Sequence, residues 1–147
     1  MSSANLPFTL TIPSDPRMLS VVRAFIEAVC QTEDMDRNTI HNIVLATGEA
    51  VSNIIRHAHR EKPEASLQIS CRLSSETVEI LLMDEGEPFD LEAVPYMDPG
   101  ELRVGGRGVF LMRTLMDELT CQPLGARGNA LRMVKRWSST TAIRECG

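Results

Sequence analysis

An amphipathic helical pattern between Ile40 and Ile55 most constrains how this 147-residue chain can fold. Apolar residues recur there at intervals of three and four, the spacing that gathers them into one buried stripe of an α-helix. The stripe consists of Ile40, Ile43, Val44, Val51, Ile54 and Ile55. The pattern predicts a helix through residues 45–59 that packs against the rest of the chain.

Three polar side chains lie beside that stripe. Glu49, Asn53 and His57 are spaced four residues apart, so they stack along a neighbouring face of the helix. A carboxylate one turn from a carboxamide can accept a proton while the amide oxygen holds a hard cation. Spacing alone favours three solvated side chains, and His57 is expected to pack or hydrogen-bond rather than to catalyse. The choice depends on the rest of the sequence.

Period-two alternation predicts strands on both sides of this helix. The predicted strands are residues 6–12, 66–73, 78–84, 120–123 and 130–137. The two strands at 66–84 are joined by a short polar turn, which indicates an antiparallel hairpin. Two further helices are predicted near residues 18–31 and 109–116. Asp15, Pro16 and Asp36 supply the start signals of the first two helices.

Composition excludes several classes of function. Apolar residues make up 43% of the chain and charged residues 24%, as in ordinary soluble globular proteins. A net charge of −5 argues against non-specific nucleic-acid binding. No apolar run approaches the roughly 20 residues of a membrane span, and the N-terminus lacks the features of a signal peptide. The 4 cysteines show no metal-binding spacing, so we expect reduced thiols and a cytoplasmic location. From the net charge and the short apolar runs, we expect no nucleic-acid or membrane partner.

Residues 85–108 have a different character, because glycine, proline and acidic residues dominate and no period is sustained. An irregular stretch of this length in a small domain is either functional or disordered. It ends in Gly105, Gly106, Arg107 and Gly108, which lead directly into a predicted helix. Glycines before a helix let backbone amides approach an anion. A flexible entry to the helix explains the same residues equally well.

Four short segments follow one another in a distinctive order. Residues 49–53 are EAVSN with HA at 57–58, residues 84–90 are DEGEPFD, residues 102–111 are LRVGGRGVFL, and residues 115–119 are LMDEL. Together they resemble the GHKL (Bergerat-fold) ATP-binding superfamily and, within it, the anti-sigma-factor serine kinases of bacterial partner-switching systems. The last segment resembles the continuation of the helix that follows the phosphate loop.

The resemblance covers about residues 6–137 and implies a fold class. This is an α/β (α+β) two-layer sandwich, with a mixed, mostly antiparallel sheet and helices on one face. We expect residues 1–147 to form a single histidine-kinase-like ATPase domain with a loose tail at 138–147. The implied cofactors are ATP or ADP and Mg²⁺.

The resemblance also implies roles for individual residues. Glu49 would be the general base for a serine hydroxyl of a protein substrate, and Asn53 would bind Mg²⁺ through its side-chain oxygen. Asp84 would accept a hydrogen bond from the adenine amino group, and Gly86 would let the backbone pass close to the base. Arg103 resembles an arginine near the terminal phosphate, where it would stabilise transferred charge, although a solvated lid arginine fits equally.

The phosphates would lie against the loop that opens the next helix, and the last strand would add one contact to the nucleotide. The expected phosphate-loop residues are Gly105, Gly106, Arg107, Gly108 and Val109, and the expected nucleotide contact of the last strand is Asn129. Arg107 stands where the family usually has an apolar residue, and Asn129 follows Gly128 where threonine is common. Pro88 replaces a second glycine of the adenine-binding turn.

The implied function is a serine/threonine kinase that phosphorylates a STAS-type anti-sigma-factor antagonist. It would also sequester a sigma factor or similar regulator, and a homodimer is among the assemblies considered. The main alternative is a nucleotide-gated binding module without useful kinase activity. A histidine-kinase catalytic domain is less favoured, because no phosphoacceptor helix precedes the domain in this sequence.

Overall fold

The computed structural model describes residues 6–58, 64–86, 107–124 and 128–140. These ranges contain five strands and three α-helices. In chain order they are β1 (Phe8–Pro13), α1 (Leu19–Cys30), α2 (Arg37–Asn53), β2 (Ser66–Leu73), β3 (Thr77–Asp84), α3 (Arg107–Leu115), β4 (Glu118–Pro123) and β5 (Asn129–Arg136).

The strands form one open sheet in the order β1-β2-β3-β5-β4. All four pairings are antiparallel, so the parallel component of a mixed sheet does not occur among the described strands. The predicted architecture of helices on a mostly antiparallel sheet is confirmed. In this order, the C-terminal end of β3 lies beside the N-terminal end of β5.

One face of the sheet carries the core, as the alternation in the sequence predicts. Along β2, Leu67, Ile69 and Cys71 are fully buried, while the intervening Gln68 and Ser70 are only partly buried. The inward residues of the strands form one apolar cluster with the buried stripes of α1 and α2. Packing of both helices against this face holds α2, with its polar face, in a fixed position.

Both predicted N-caps are confirmed. Asp15 caps a single 3-10 turn, Pro16–Met18, that leads into α1, and its side chain accepts the backbone N–H of Arg17. Asp36 caps α2 by accepting the backbone N–H groups of Asn38 and Thr39. These bonds satisfy donors that a helix start leaves unpaired.

Two boundaries differ from the prediction. The segment 115–119 does not continue the helix, because α3 ends at Leu115 and β4 begins at Glu118. Asp117 explains the break: its N–H donates to the Val134 carbonyl at 2.8 Å, and its carboxylate accepts the Arg136 N–H at 2.6 Å. These bonds to β5 turn the chain into a strand.

The predicted helix 45–59 is α-helical only to Asn53 and continues as a π-helical turn, Ile54–Ala58.

Some of the predictions lie outside the described residues. These are most of the irregular stretch, at 87–106, and the end of the tail, at 141–147. Within the described tail, Ser139 and Thr140 donate to the Asp34 carboxylate at 2.9 and 2.5 Å. No helix in the described ranges is both long and apolar enough to cross a membrane.

Candidate functional site

The first part of the candidate site lies where the start of α3 meets the polar face of α2. Gly108, in the first turn of α3, is buried against Glu49 and Asn53. A Cβ atom added to Gly108 would lie 2.8 Å from the Asn53 side-chain nitrogen, 3.2 Å from its oxygen and 3.2 Å from Glu49 Oε2. A side chain at this position would require the ends of the Asn53 and Glu49 side chains to shift. The fold therefore brings together two residues one turn apart on α2 and a glycine some 55 positions later in the chain.

Both side chains are half-buried at this junction. The start of α3 adds the partial positive charge of a helix N-terminus and backbone N–H groups that the helix itself does not use. A carboxylate, a carboxamide oxygen and a helix N-terminus thus lie within one small region. This combination of oxygen ligands and anion-binding amides suits a divalent cation carrying phosphate groups.

Arg56 is a further residue at this junction, and the sequence reasoning missed it. It lies in the π-helical turn that follows α2, and its Nη2 donates to Asn53 Oδ1 at 3.2 Å. Its side chain is exposed. The spacing of three residues between Asn53 and Arg56 could have suggested this contact. Arg56 belongs neither to the apolar stripe nor to the polar series at intervals of four, so neither pattern identified it.

The second part of the candidate site lies at the end of β3. Asp84 is only 4% exposed, and its Oδ1 accepts the Gly86 N–H at 2.7 Å. Asp84 pairs with Asn129 across the two central strands, and the Asn129 side-chain amide approaches Asp84 Oδ1 at 3.5 Å. Asn129 is 3% exposed. The predicted adenine ligand and the predicted nucleotide contact of the last strand, 45 positions apart in the sequence, are thus in contact.

Gly128 holds the corner beside this pair. Its φ of 104° lies in the left-handed region, and an added Cβ atom would lie 2.8 Å from the Asp84 carbonyl oxygen. Its N–H donates to the Gly86 carbonyl at 2.8 Å, and its own carbonyl accepts the Leu124 N–H at 3.0 Å. Glycine is therefore required here for backbone conformation and for space. In the sequence, Gly128 is marked only by its place before the last predicted strand.

The remaining predicted site residues are only partly placed. Val109 is 2% exposed and belongs to the core, so its side chain anchors α3, while its backbone lies in the first turn. Arg107 begins α3, but only its backbone is described. Arg103, Gly105 and Gly106 lie outside the described residues, and so does the His57 side chain.

The chain matches a known domain family. The family model of the histidine kinase-like ATPase domain matches residues 12–135, which include α2, the end of β3, the start of α3 and all but the last residue of β5. The chain belongs to the histidine kinase-like ATPase domain family. The family match confirms the superfamily resemblance drawn from the four sequence segments.

Several curated relatives within this family are named serine-protein kinase RsbW. The protein from Oceanobacillus iheyensis is 30% identical over 118 residues, which is 75% of this chain and 75% of that protein. The protein from Staphylococcus epidermidis is 30% identical over 129 residues, covering 82% and 81%. The Listeria monocytogenes protein is 28% identical over 128 residues, covering 81% of each. The chain is therefore a member of a kinase family.

Two solved structures share the fold. The RsbU and RsbW domains of a Mycobacterium tuberculosis protein match with a TM-score of 0.67 at 18% identity, over 90% of this chain and 32% of that one. The SiaB–SiaC complex from Pseudomonas aeruginosa matches with a TM-score of 0.67 at 17% identity, over 86% and 89%. At these identities the likeness supports the open antiparallel sheet with its helices.

Proposed function

We propose that the chain is a serine/threonine protein kinase that binds Mg-ATP and phosphorylates a STAS-type anti-sigma-factor antagonist. It would also sequester a sigma factor or a similar regulator until that antagonist displaces it. In this proposal the whole chain acts as one histidine-kinase-like ATPase domain. Its named relatives, serine-protein kinases at about 30% identity, support the phosphotransferase class.

The contact of Gly108 with both Glu49 and Asn53 carries the proposal. It places a carboxylate and a neutral oxygen ligand at the start of α3, where backbone amides favour phosphate. If Glu49 and Asn53 were simply solvated on the face of α2, no buried glycine of α3 would be needed this close to their side chains. The contact therefore supports a shared role for Glu49 and Asn53 over two simply solvated side chains.

The residues around α3 would divide the chemistry between them. Asn53 would hold Mg²⁺ through its carboxamide oxygen, and the backbone amides of the first turn of α3 would bind phosphate oxygens. Bound Mg²⁺ supplies charge neutralisation during phosphoryl transfer. Glu49, one turn before Asn53, would accept the proton of the attacking serine hydroxyl.

The residues at the end of β3 would recognise the base. The Asp84 carboxylate would accept a hydrogen bond from the adenine amino group, while Gly86 and Gly128 would let the backbone pass close to the base. Asn129 would contribute a polar contact from β5. Arg103, Gly105, Gly106 and Arg107 remain proposed contacts of the phosphates.

Glu49→Gln tests the enzymatic part of the proposal. The variant is nearly isosteric, so it should keep ATP affinity within a few-fold while losing about 10²–10⁴ in transfer rate, the usual contribution of a general base. The measurement is single-turnover transfer from labelled ATP to the cognate antagonist, with ATP binding measured in parallel. Glu27→Gln, which removes an exposed carboxylate from α1, is the matched control.

Each result of this experiment decides between defined alternatives. Undiminished transfer by Glu49→Gln would remove Glu49 from the mechanism. Wild-type protein that binds Mg-ATP and its verified partner but transfers no phosphate would instead be a nucleotide-gated binding module. Sequestration of the regulator should persist in Glu49→Gln, because that contact requires no proton transfer.

A further inference from the structure

The positively charged guanidinium group of Arg56 donates a hydrogen bond to the Asn53 oxygen that is proposed as the metal ligand. Arg56 Nη2 donates to Asn53 Oδ1 at 3.2 Å. A carboxamide oxygen has two lone pairs, and this bond uses one of them. The same oxygen must coordinate Mg²⁺ if the proposed function holds. A role for Arg56 in controlling this metal site therefore rests on the proposed function.

Groups from two elements lie against the Asn53 carboxamide. On one side the backbone of Gly108 approaches so closely that an added Cβ atom would lie 2.8 Å from the side-chain nitrogen. On another side Arg56 donates to the oxygen. The carboxamide is therefore held between α3 and the π-helical turn, with its oxygen directed towards a guanidinium group.

Arg56 lies within a π-helical turn, Ile54–Ala58. The i→i+5 hydrogen bonding of such a turn gives Arg56 a backbone position that differs from that in a continued α-helix. A π-helical turn at the end of an α-helix is a local feature that often occurs at functional sites. Here it directly follows the proposed metal ligand.

We propose that Arg56 is a positioning residue that holds the Asn53 oxygen until a divalent cation binds, and that it must release this oxygen when Mg²⁺ arrives. Mg²⁺ requires near-ideal octahedral geometry at about 2.0–2.1 Å from each ligand, so a guanidinium group on the same oxygen opposes its binding through charge and through space. Arg56 has an exposed side chain that can swing away. Arg56 therefore sets the Mg²⁺ concentration at which the site fills.

The test is the Mg²⁺ dependence of ATP binding, measured by calorimetry at a series of free Mg²⁺ concentrations. In Arg56→Gln we expect the Mg²⁺ concentration for half-maximal tightening to fall about three- to tenfold, as repulsion between exposed charges a few Å apart suggests. Arg56→Lys keeps the charge without the planar donor fork and should shift this value by a smaller factor. Because each value comes from the variant's own curve, a general loss of ATP affinity does not imitate the shift.

Two controls separate this inference from the proposed function. Arg72→Gln removes the same charge from an exposed position on β2 and should leave the Mg²⁺ half-point unchanged. Asn53→Ala should abolish the tightening by Mg²⁺ altogether. If Asn53→Ala abolishes the tightening as expected, but the Mg²⁺ concentration for half-maximal tightening is unchanged or raised in Arg56→Gln, only the role of Arg56 is overturned. Equal tightening by Mg²⁺ in wild type and Asn53→Ala would overturn the metal site and, with it, the inference.

Discussion

At the scale of single residues, the candidate site depends on two buried glycines whose surroundings differ. The space that a side chain would need at Gly108 is occupied by the ends of the Asn53 and Glu49 side chains, which can move. The space at Gly128 is limited by the backbone carbonyl of Asp84, which cannot move without disturbing the sheet, and its φ is 104°. The same substitution should therefore act on function at one site and on stability at the other.

Gly108→Ala and Gly128→Ala test this difference as a pair. Gly108→Ala should leave the melting temperature unchanged or slightly raised, because alanine favours a helix, while the displaced Asn53 weakens Mg²⁺-dependent ATP binding. Gly128→Ala should lose about 1–3 kcal/mol of stability, the usual cost of a strained backbone conformation. Chemical denaturation and calorimetry on both variants provide the measurements. Equal losses of stability would contradict the distinction.

Asp84 offers a second test at this scale, because its carboxylate combines a structural and a proposed recognition role. Asp84→Asn keeps an oxygen that can accept the Gly86 N–H, so the fold should persist. It replaces the other oxygen with a donor that cannot pair with the adenine amino group. We expect ATP affinity to fall about 10- to 100-fold, the loss of 1–3 kcal/mol that a buried mispaired group causes. Unchanged affinity in a folded variant would remove Asp84 from adenine recognition.

At the scale of elements, α2 carries the proposed base and metal ligand and is fixed at its start by a charged cap. Asp36 accepts the backbone N–H of Asn38 at 2.6 Å and the hydroxyl of Thr39 at 2.8 Å. Hydrogen bonds from the Thr39 side chain, from its backbone and from the Asn38 N–H hold the pKa of Asp36 below its usual value of 3.8. The ionised form thus stabilises the helix at which Glu49 and Asn53 lie.

Asp36→Ala should lower the free energy of unfolding by about 1 kcal/mol at pH 7, the usual value of an N-cap. Because the folded pKa is depressed, this stabilisation is present above the unfolded value and is lost as pH falls through the folded pKa. The difference between wild type and Asp36→Ala should therefore shrink below about pH 4. Asp36→Asn, which also caps helices, is the control and should lose less. Denaturant titrations at several pH values would check this, and a pH-independent difference would contradict it.

At the scale of the whole molecule, stability depends on helices docked against one face of the sheet. Cys30 on α1 and Cys71 on β2 are both free thiols and fully buried at this interface. A side-chain hydrogen bond with Cys30, together with burial, raises the pKa of Cys71 well above its usual value. Neither thiol should react until the helical layer separates from the sheet.

Labelling with a thiol reagent measures that separation. In a Cys121→Ser, Cys146→Ser variant, the two remaining thiols should react at least about a hundredfold more slowly in native protein than in denaturant. Cys121, half-buried on β4, should react faster in a variant that retains it alone. Rapid native labelling of the Cys30–Cys71 pair would show that the layers separate easily.

The sequence by itself determined the elements and most of their faces. Alternation identified the buried residues of β2 and β3, and side-chain caps marked the start of α2 and of the 3-10 turn before α1, because both signals depend on neighbours close in the chain. Tertiary structure decided the rest. Asp117 ends α3 through bonds to β5, Gly108 reaches Asn53 only because α3 packs on α2, and Asn129 meets Asp84 through strand register. These three contacts join residues distant in sequence, so they follow from packing and not from local propensity. The contact of Arg56 with Asn53 is local, at a spacing of three residues, but it lies in a π-helical turn that the apolar pattern does not predict.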